Sequence, residues 1–442
     1  MYEENDFYHD GNGNYEFETT RMQLWLYMLT FGFPESLTQK TDVYNNCACA
    51  AAVRLYDGFV FDSDRMEQTI NYLYETNDAL RTVFSVKENK LVQKVLLEYK
   101  YTLDVRETKG KTTEERYADA VRQVNEEAAL PLVSFDKIQN KFVLFKIEEN
   151  DYVILTVQNH MLSDGNSVYI TLKKLMRYYE GSMVHESGGT YLDFTQNQIN
   201  LLKTETGQAK LEQFRKEMED FVYTPNFKPN PEDCNIISSQ LGVVKADAKK
   251  LKELSRKNKT TLFYYVLTAF HLGLSVGLDT NDTAIMCGTA NRNEGRFVNT
   301  IGMITRTLTH RLKLEDSESL EELLKRVTKK FMQLLEDQVY ASYDMKSPFL
   351  VTMHSGSAVG GILKLKNGTS KLVELEPDRR VEMFCMVGGE FGDELILNAQ
   401  CESGIYGREF ILKVTGVMDK AFEMMILHPE MTTGDFLRMF KE

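Results

Sequence analysis

Residues 152–165 read Tyr-Val-Ile-Leu-Thr-Val-Gln-Asn-His-Met-Leu-Ser-Asp-Gly, an apolar run that changes into a polar loop. The apolar half predicts a buried strand, which pairs with the similar run at residues 141–147 across a short turn. Residues 167–179 then predict an amphipathic helix. The imidazole of His160 and the carboxylate of Asp164 therefore lie in a loop between a strand and a helix. Such loops commonly hold functional side chains on a rigid scaffold.

The length and composition predict a large globular protein. The chain has 442 residues, of which 43% are hydrophobic and 11% aromatic, enough for two packed lobes. Predicted strands alternate with long helices, which favours an α/β layer architecture. Turn-forming residues at 181–189 predict the boundary, with an N-terminal lobe at 1–181 and a C-terminal lobe at 190–442.

The charge and hydropathy patterns argue against two classes of partner. The formal net charge is −13, whereas binding to nucleic acid or to an anionic membrane surface requires concentrated Lys and Arg. Residues 261–278 are strongly apolar but include Tyr264, His271 and Ser275. This run therefore predicts a buried helix of a large core rather than a membrane span.

The cysteines and the first residues bear on the compartment and on metal binding. Six cysteines are scattered without Cys-x-x-Cys spacing, which indicates neither a zinc site nor a disulfide framework. The first residues lack the basic and apolar regions of a signal peptide, so we expect a cytoplasmic protein with reduced thiols. The sequence contains no glycine-rich phosphate loop of the kind that would indicate a nucleotide cofactor.

The residues of the loop leave several roles open. His160 could accept a proton or orient a nucleophile, or it could simply bond to the backbone. Asp164 could orient His160 or cap the following helix. A nucleophilic role for Ser163 is disfavoured because no Gly-x-Ser-x-Gly turn surrounds it. Gly165 would allow a tight turn and could direct its N–H at a developing oxyanion.

The loop resembles the His-His-x-x-x-Asp-Gly signature of the condensation domains of nonribosomal peptide synthetases. Asn159 takes the place of the first His, and His160, Asp164 and Gly165 match the rest. The departure excludes a mechanism that needs two imidazoles, because an amide cannot serve as a proton acceptor. Other similar segments follow in the family's order and at about its spacing: Asp78-Ala-Leu-Arg81-Thr-Val-Phe84, Leu130-Pro-Leu-Val133, Gly288-Thr-Ala-Asn-Arg292, Ile301-Gly302 and Thr307-Leu-Thr-His-Arg311.

The resemblance implies a fold, a reaction and a set of roles. The fold would be two chloramphenicol-acetyltransferase-like lobes arranged as a V with a reaction channel between them. The reaction would form an amide from a carrier-bound acyl or aminoacyl thioester and an amine, free or carrier-bound, assisted by His160. Asp164 would be structural and paired with Arg292, and Asn159 would be less directly involved in chemistry. The only prosthetic group implied is the 4′-phosphopantetheine arm of a partner carrier protein; no intrinsic cofactor or metal is implied.

Two other functions remain open. The same fold could transfer an acyl group from coenzyme A or a carrier to a hydroxyl, or the protein could be a catalytically silent docking partner, for which Asn159 is the main warning. We expect a monomer, either free-standing or one domain of a longer synthetase. A basic cluster could dock an acidic carrier or could be an ordinary solvated helix face; its members are Lys249, Lys250, Lys252, Arg256, Lys257 and Lys259.

Overall fold

The computed structural model describes residues 8–9, 15–31, 48–130, 132, 135–182, 188–340, 347–354, 363–375 and 383–440. Its strands are β1 (Tyr8–His9), β2 (Tyr15–Glu18), β3 (Ala48–Tyr56), β4 (Thr82–Lys87), β5 (Lys90–Val95), β6 (Val105–Glu107), β7 (Asn140–Glu148), β8 (Asp151–Asn159), β9 (Val243–Asp247), β10 (Asp282–Thr289), β11 (Arg306–Lys313), β12 (Phe349–His354), β13 (Thr369–Val373), β14 (Phe384–Phe391) and β15 (Glu394–Gln400).

The described helices alternate with these strands, as the sequence predicts for a mixed α/β protein. They are α1 (Arg21–Phe31), α2 (Ser63–Thr76), α3 (Thr113–Ala128), α4 (Gly165–Tyr179), α5 (Tyr191–Lys203), α6 (Glu205–Glu217), α7 (Ser238–Leu241), α8 (Ala248–Lys257), α9 (Leu262–Leu278), α10 (Leu320–Glu336), α11 (Ser403–Tyr406), α12 (Arg408–Leu427) and α13 (Thr433–Arg438).

The chain divides into two compact units. The first unit is Met1–Lys203 with Ala290–Thr305 and Gly361–Glu376, and the second unit is the remainder. The first break between the units, after residue 203, lies later in the chain than the predicted boundary between 1–181 and 190–442. Residues 290–305 and 361–376 also belong to the first unit, although the prediction placed them in the C-terminal lobe. Hydrogen bonds explain why residues 290–305 belong to the first unit, because Arg292 and the N–H of Thr305 bond to Asp164.

The first unit is built around a five-stranded sheet of order β13-β3-β8-β7-β6, and a second sheet has the order β1-β2-β5-β4. The predicted hairpin is confirmed as the antiparallel pair β7 and β8. All nine residues of β8 are buried. Helix α3 packs on one face of the strand at Val153 and Val157, while on the other face the Gln158 amide bonds Thr171 of α4 at 2.9 Å. A strand covered on both faces is apolar along most of its length.

The second unit contains a six-stranded sheet of order β11-β10-β12-β14-β15-β9 with α9, α10 and α12 in its core. The expectation of a buried apolar helix is confirmed, because only Phe263 and Val276 of α9 are not fully buried. Helix α9 approaches α12 closely at Gly273, where a Cβ would lie 2.9 Å from the carbonyl oxygen of Val414. Small residues at such contacts allow two helix backbones to approach.

Two strands that the apolar pattern of the sequence predicts, near residues 236–243 and at residues 302–312, differ from the structure. The prediction of a strand near residues 236–243 is wrong. Ser238 begins the short helix α7 instead, and its hydroxyl donates to the carbonyl of Cys401 at 2.8 Å. Strand β9 begins only at Val243. The predicted strand at 302–312 begins at Arg306 instead, because the N–H groups of Ile304 and Thr305 bond to the carboxylate of Asp164. Asp164 lies in the loop at residues 159–165, which we call the motif loop.

The expectations about the cysteines and about a membrane span can be compared with the structure only at the described residues. Five of the cysteines are reduced there, namely Cys49, Cys234, Cys287, Cys385 and Cys401, and Cys47 lies outside them, as do Pro131 and Val133 of one family-like segment. Within the described ranges no single helix is long and apolar enough to cross a membrane, although α8 and α9, bent by 105°, pass that test as a pair.

Candidate active site

His160 follows the last residue of β8 and is partly buried. Its ring nitrogen Nδ1 lies 2.8 Å from the carbonyl oxygen of Ser163. A carbonyl can only accept a hydrogen bond, so Nδ1 must carry the hydrogen. In the neutral ring the lone pair then belongs to Nε2, which is the nitrogen that can accept a proton.

Asn159 fixes the start of the turn from inside the protein. Its side chain is 1% exposed. The amide nitrogen donates to the carbonyl of Leu132 at 2.8 Å and to Oε1 of Gln139 at 2.7 Å. Its oxygen accepts the N–H of Met161 at 2.8 Å. The residue that departs from the family signature therefore has a structural role in the turn, as expected for this position.

Asp164 is held by backbone and side-chain donors from two separate segments. One oxygen accepts the N–H of Ser167 at 2.8 Å and so caps α4. The other accepts the N–H groups of Ile304 at 3.2 Å and Thr305 at 3.0 Å. Arg292 Nη2 lies 3.1 Å from each oxygen. The helix cap, which is one of the two roles that the residues leave open for Asp164, and the ion pair with Arg292, which the family resemblance implies, are both present.

Arg292 in turn is held by backbone carbonyls of its own segment. Its side chain is 9% exposed. Nη1 donates to the carbonyls of Phe297 at 3.0 Å and Thr300 at 2.8 Å, and Nη2 also reaches the hydroxyl of Ser167 at 2.9 Å. Burial by itself would raise the pKa of Asp164, but the Arg292 charge and the donated hydrogen bonds outweigh it and hold that pKa below its ordinary value. Asp164 is therefore an ionised brace.

Two side chains that the sequence analysis did not identify hold the middle of the turn. The carbonyl of Met161 accepts Nε2 of Gln23 and the hydroxyl of Tyr191, each at 3.2 Å. Nothing in the local sequence marks these residues, because they come from α1 and α5. The Ser167 hydroxyl, also missed, donates to the carbonyl of Gly302 at 2.8 Å. A serine at this helix position is most often a surface residue, so only its burial shows the role.

Gly165 lies at the first position of α4 and is exposed. Its φ is not positive, and a Cβ placed on it would meet nothing within 4 Å. The prediction that this position needs the conformational freedom of glycine for a tight turn is therefore wrong. Its N–H belongs to the first turn of the helix, whose donors have no partner within the helix. An oxyanion role for that N–H stays a prediction.

The remaining chemical candidates have structural surroundings. Ser163 is completely buried, its hydroxyl lies 3.4 Å from the carbonyl of Asp164, and it is the Ser163 carbonyl that contacts His160. Arg81, which belongs to one of the family-like segments, donates to backbone carbonyls, among them that of Tyr74 at 2.8 Å. Within the part of the chain that the structure describes, no three His, Cys, Asp or Glu residues cluster as metal ligands would.

Comparisons with known proteins identify the family to which the chain is similar. The family model of the condensation domain matches residues 30–382. Surfactin synthase subunit 1 of Bacillus subtilis (strain 168) is 25% identical over 286 residues, which is 63% of this chain and 8% of that protein. The chain thus spans a small fraction of such a synthase.

Solved structures show the same fold. The starter condensation domain of rhizomide synthetase RzmA matches with a TM-score of 0.73 at 13% identity over 95% of this chain and 98% of that one. The X-domain complex with OxyB from teicoplanin biosynthesis matches with a TM-score of 0.75 at 13% identity over 95% of each. The predicted α/β fold of the chloramphenicol-acetyltransferase type is thereby confirmed, while the V-shaped arrangement stays a prediction. By its sequence, its fold and its motif loop, the chain belongs to the condensation-domain family.

Proposed function

We propose that this protein is an acyltransferase that forms an amide bond between a carrier-bound acyl or aminoacyl thioester and an amine. The observation that carries the proposal is the His160–Ser163 contact at 2.8 Å, in a loop braced by the buried Asp164–Arg292 pair. This contact selects the ring tautomer whose Nε2 can take a proton. Membership of the condensation-domain family supplies the reaction class.

In the proposed reaction the amine nitrogen attacks the thioester carbonyl and forms a C–N bond. His160 Nε2 accepts the proton that the amine loses, and the N–H of Gly165 is a candidate donor to the oxyanion. The C–S bond then breaks, and the proton passes to the departing thiolate. The carboxylate of Asp164 takes no proton in this scheme, because it is ionised and its oxygens are occupied. Most of the rate enhancement would come from holding two reactants in register.

The proposed partner is an acidic carrier protein that delivers the acyl group on a 4′-phosphopantetheine arm. Helix α8 offers a basic outer face in a chain of net charge −13. Lys250 lies 3.7 Å from Asp247, and Lys252 pairs with Glu390. Among the described residues no carboxylate pairs with the four other cations of the cluster, Lys249, Arg256, Lys257 and Lys259, all of which are exposed. Unpaired surface cations favour an acidic partner.

The test combines two donors and two acceptors. Acyl groups are offered on a phosphopantetheinylated carrier or on coenzyme A, with an amine or an alcohol as acceptor, and products are identified by intact-mass spectrometry. We expect amide from the carrier donor. Ester from acyl-CoA would instead support the O-acyltransferase alternative, and no product from any pairing would overturn both.

A charge-reversed variant tests the docking face separately. In Lys249→Glu/Arg256→Glu/Lys257→Glu we expect KM for the carrier donor to rise about tenfold, since three surface charges of a few tenths of a kcal/mol each approach the 1.4 kcal/mol that a factor of ten requires. A small N-acetylcysteamine thioester donor should be unaffected, because it does not touch this face. Equal losses with both donors would contradict docking at α8.

A catalytically silent docking protein is the second candidate. Two observations favour it, Asn159 in place of a histidine and the likeness to the X-domain that was solved in complex with OxyB. Stable binding of a loaded carrier without transfer to any acceptor would support it. The contacts of Asn159 weigh against it, because that side chain serves the turn in which His160 lies and leaves the imidazole in place.

A further inference from the structure

We propose that Tyr191 is a positioning residue for His160, acting through the carbonyl of Met161. The hydroxyl of Tyr191 donates to this carbonyl at 3.2 Å. The inference deepens the proposed function, and its transfer experiment rests on that function. Its structural experiment does not.

The turn after β8 is anchored at several points by residues outside it. Beside the contacts of Asp164, the carbonyl of Ser163 accepts the thiol of Cys49 at 3.8 Å. Asn159 supplies the inner bonds, since its side chain accepts the N–H of Met161 and its backbone carbonyl accepts the N–H of Leu162 at 2.9 Å. The carbonyl of Met161 is where α1 and α5 reach in, through Gln23 and Tyr191. A carbonyl has two lone pairs, so both donors can be satisfied at once. Removal of the Tyr191 hydroxyl would leave the Met161–Leu162 peptide held at its carbonyl by Gln23 and at its N–H by Asn159, so that it could tilt about these two bonds.

Tyr191 is itself held firmly enough to act as an anchor. Its side chain is 2% exposed and its ring stacks on Phe194 with the centroids 6.2 Å apart. Its backbone N–H donates to the partly buried carboxylate of Asp78 at 3.0 Å, and the next N–H donates to the same carboxylate at 2.6 Å. The segment that contains Asp78 thus fixes the start of α5, and α5 fixes the hydroxyl.

Gly302 sets the position of the Tyr191 ring from the other side. A Cβ at Gly302 would lie 2.1 to 2.7 Å from three ring atoms of Tyr191, so only glycine lets the ring lie where it does. The same glycine bonds Ser167 through both its N–H, at 3.0 Å, and its carbonyl, at 2.8 Å. Two residues further along, the N–H of Ile304 reaches Asp164. The segment 302–304 therefore supports the motif loop at two points, at Met161 through Tyr191 and at Asp164 directly.

This role predicts more than core packing does. If Tyr191 only filled space, Tyr191→Phe would be silent at the site, because the ring and its contact with Gly302 remain. If the hydroxyl positions the turn, the same change should loosen the contact between His160 and the carbonyl of Ser163. The imidazole tautomer reports that contact directly, because Nδ1 keeps its hydrogen only while the carbonyl accepts it.

The experiment records the ¹⁵N shifts of the ring nitrogens of His160 in histidine-labelled protein, with the signal assigned by His160→Gln. In wild type we expect the Nδ1–H tautomer, and in Tyr191→Phe a mixture of both tautomers. Tyr101→Phe is the matched control, since it removes another buried hydroxyl that donates to a carbonyl, that of Phe142. Gly302→Ala should reproduce the mixture by displacing the ring, and Gly295→Ala, where a Cβ meets nothing within 4 Å, should not.

The transfer assay supplies the second readout. In Tyr191→Phe we expect kcat to fall roughly tenfold with KM unchanged, because small misplacements of a catalytic group cost one to two orders of magnitude. A wild-type tautomer in Tyr191→Phe would overturn the inference whatever the assay gives. If wild type transfers nothing, the proposed function fails while the tautomer comparison still decides the role of Tyr191. A Gly302→Ala protein that does not fold leaves the decision with Tyr191→Phe.

Discussion

His160 and the pair His271 and His310 place the same side chain in opposite surroundings. His160 is partly exposed in a loop of the first unit and donates from Nδ1 to the carbonyl of Ser163. His271 and His310 are completely buried in the second unit, with Nε2 of the first 2.8 Å from Nδ1 of the second. Nδ1 of His271 also lies 2.7 Å from the hydroxyl of Thr283.

The difference shows what makes a histidine available for chemistry. Burial lowers the pKa of His271 well below its ordinary value and that of His310 to about 3, with Lys330 and Arg326 adding to the effect. Among the described residues no carboxylate pairs with either ring, so a charge there would lack compensation and the pair stays neutral and serves structure. In the first unit the buried charges of Asp164 and Arg292 compensate each other in and beside the loop that carries His160.

The largest expected effect is on the buried ion pair of the first unit. Asp164→Ala or Arg292→Ala should lower the free energy of unfolding by about 3–5 kcal/mol, because the remaining charge is left buried without a partner. Urea unfolding followed by fluorescence of Trp25, which is the chain's single tryptophan and belongs to the first unit, measures this loss. Glu294→Ala, which breaks an exposed ion pair in the same segment, should change little. Equal effects would show that the buried pair does not brace the loop.

Restoring the family's first histidine should harm the protein. Asn159→His removes an amide that makes three hydrogen bonds in a buried position, and imidazole cannot reproduce that pattern. We expect a loss of roughly 1–3 kcal/mol in the free energy of unfolding, the cost of leaving buried polar groups without partners. Transfer should not increase. A stable and more active Asn159→His protein would mean that the site is built for two imidazoles.

Acid should destabilise the second unit before it affects the ion pair of the first. The unfolded chain protonates His271 and His310 with ordinary pKa values near 6.5, whereas the folded chain does so only at much lower pH. Stability is therefore lost as pH falls below about 6.5, by about 1.4 kcal/mol per pH unit for each histidine. The stabilising charge of Asp164, whose pKa is lowered, is lost only as pH falls below the ordinary carboxylate range near 4.

Hydrogen exchange of α9 and β11 between pH 7 and pH 4.5 follows this loss within the second unit. His310→Gln removes one of the two titrating rings and should make the pH dependence shallower, although the variant is less stable at pH 7. If the stability of the second unit in His310→Gln falls with pH as steeply as in wild type, other groups cause the acid sensitivity.

The smallest effect is expected at Gly165. Its backbone angle is ordinary and a Cβ has open space, so Gly165→Ala should be neutral or stabilise by up to about 1 kcal/mol. Transfer should persist if only the N–H is used. Loss of transfer with unchanged thermal stability would show instead that substrate passes over the bare Cα.

Much of the site could be predicted from the sequence, because its signals are local. The hairpin, α4 and the loop lie within one continuous stretch, and the pairing of Asp164 with Arg292 followed from the family resemblance. The roles of Gln23 and Tyr191 could not be predicted, since each acts through a backbone carbonyl far away in sequence. Gly302 lies in a segment that resembles the family, but its contact with the ring of Tyr191 could not be predicted. The strand predicted at 236–243 failed for a similar reason, a tertiary bond from Ser238 to Cys401.

We infer that the protein holds His160 for chemistry and not for stability. The most direct test is amide formation by His160→Ala, followed by mass spectrometry of loaded carriers, beside the urea unfolding curve of the same variant. We predict that transfer falls by about 100-fold or more, as for the loss of a general base, with the unfolding midpoint nearly unchanged. Turnover equal to that of wild type would contradict the account.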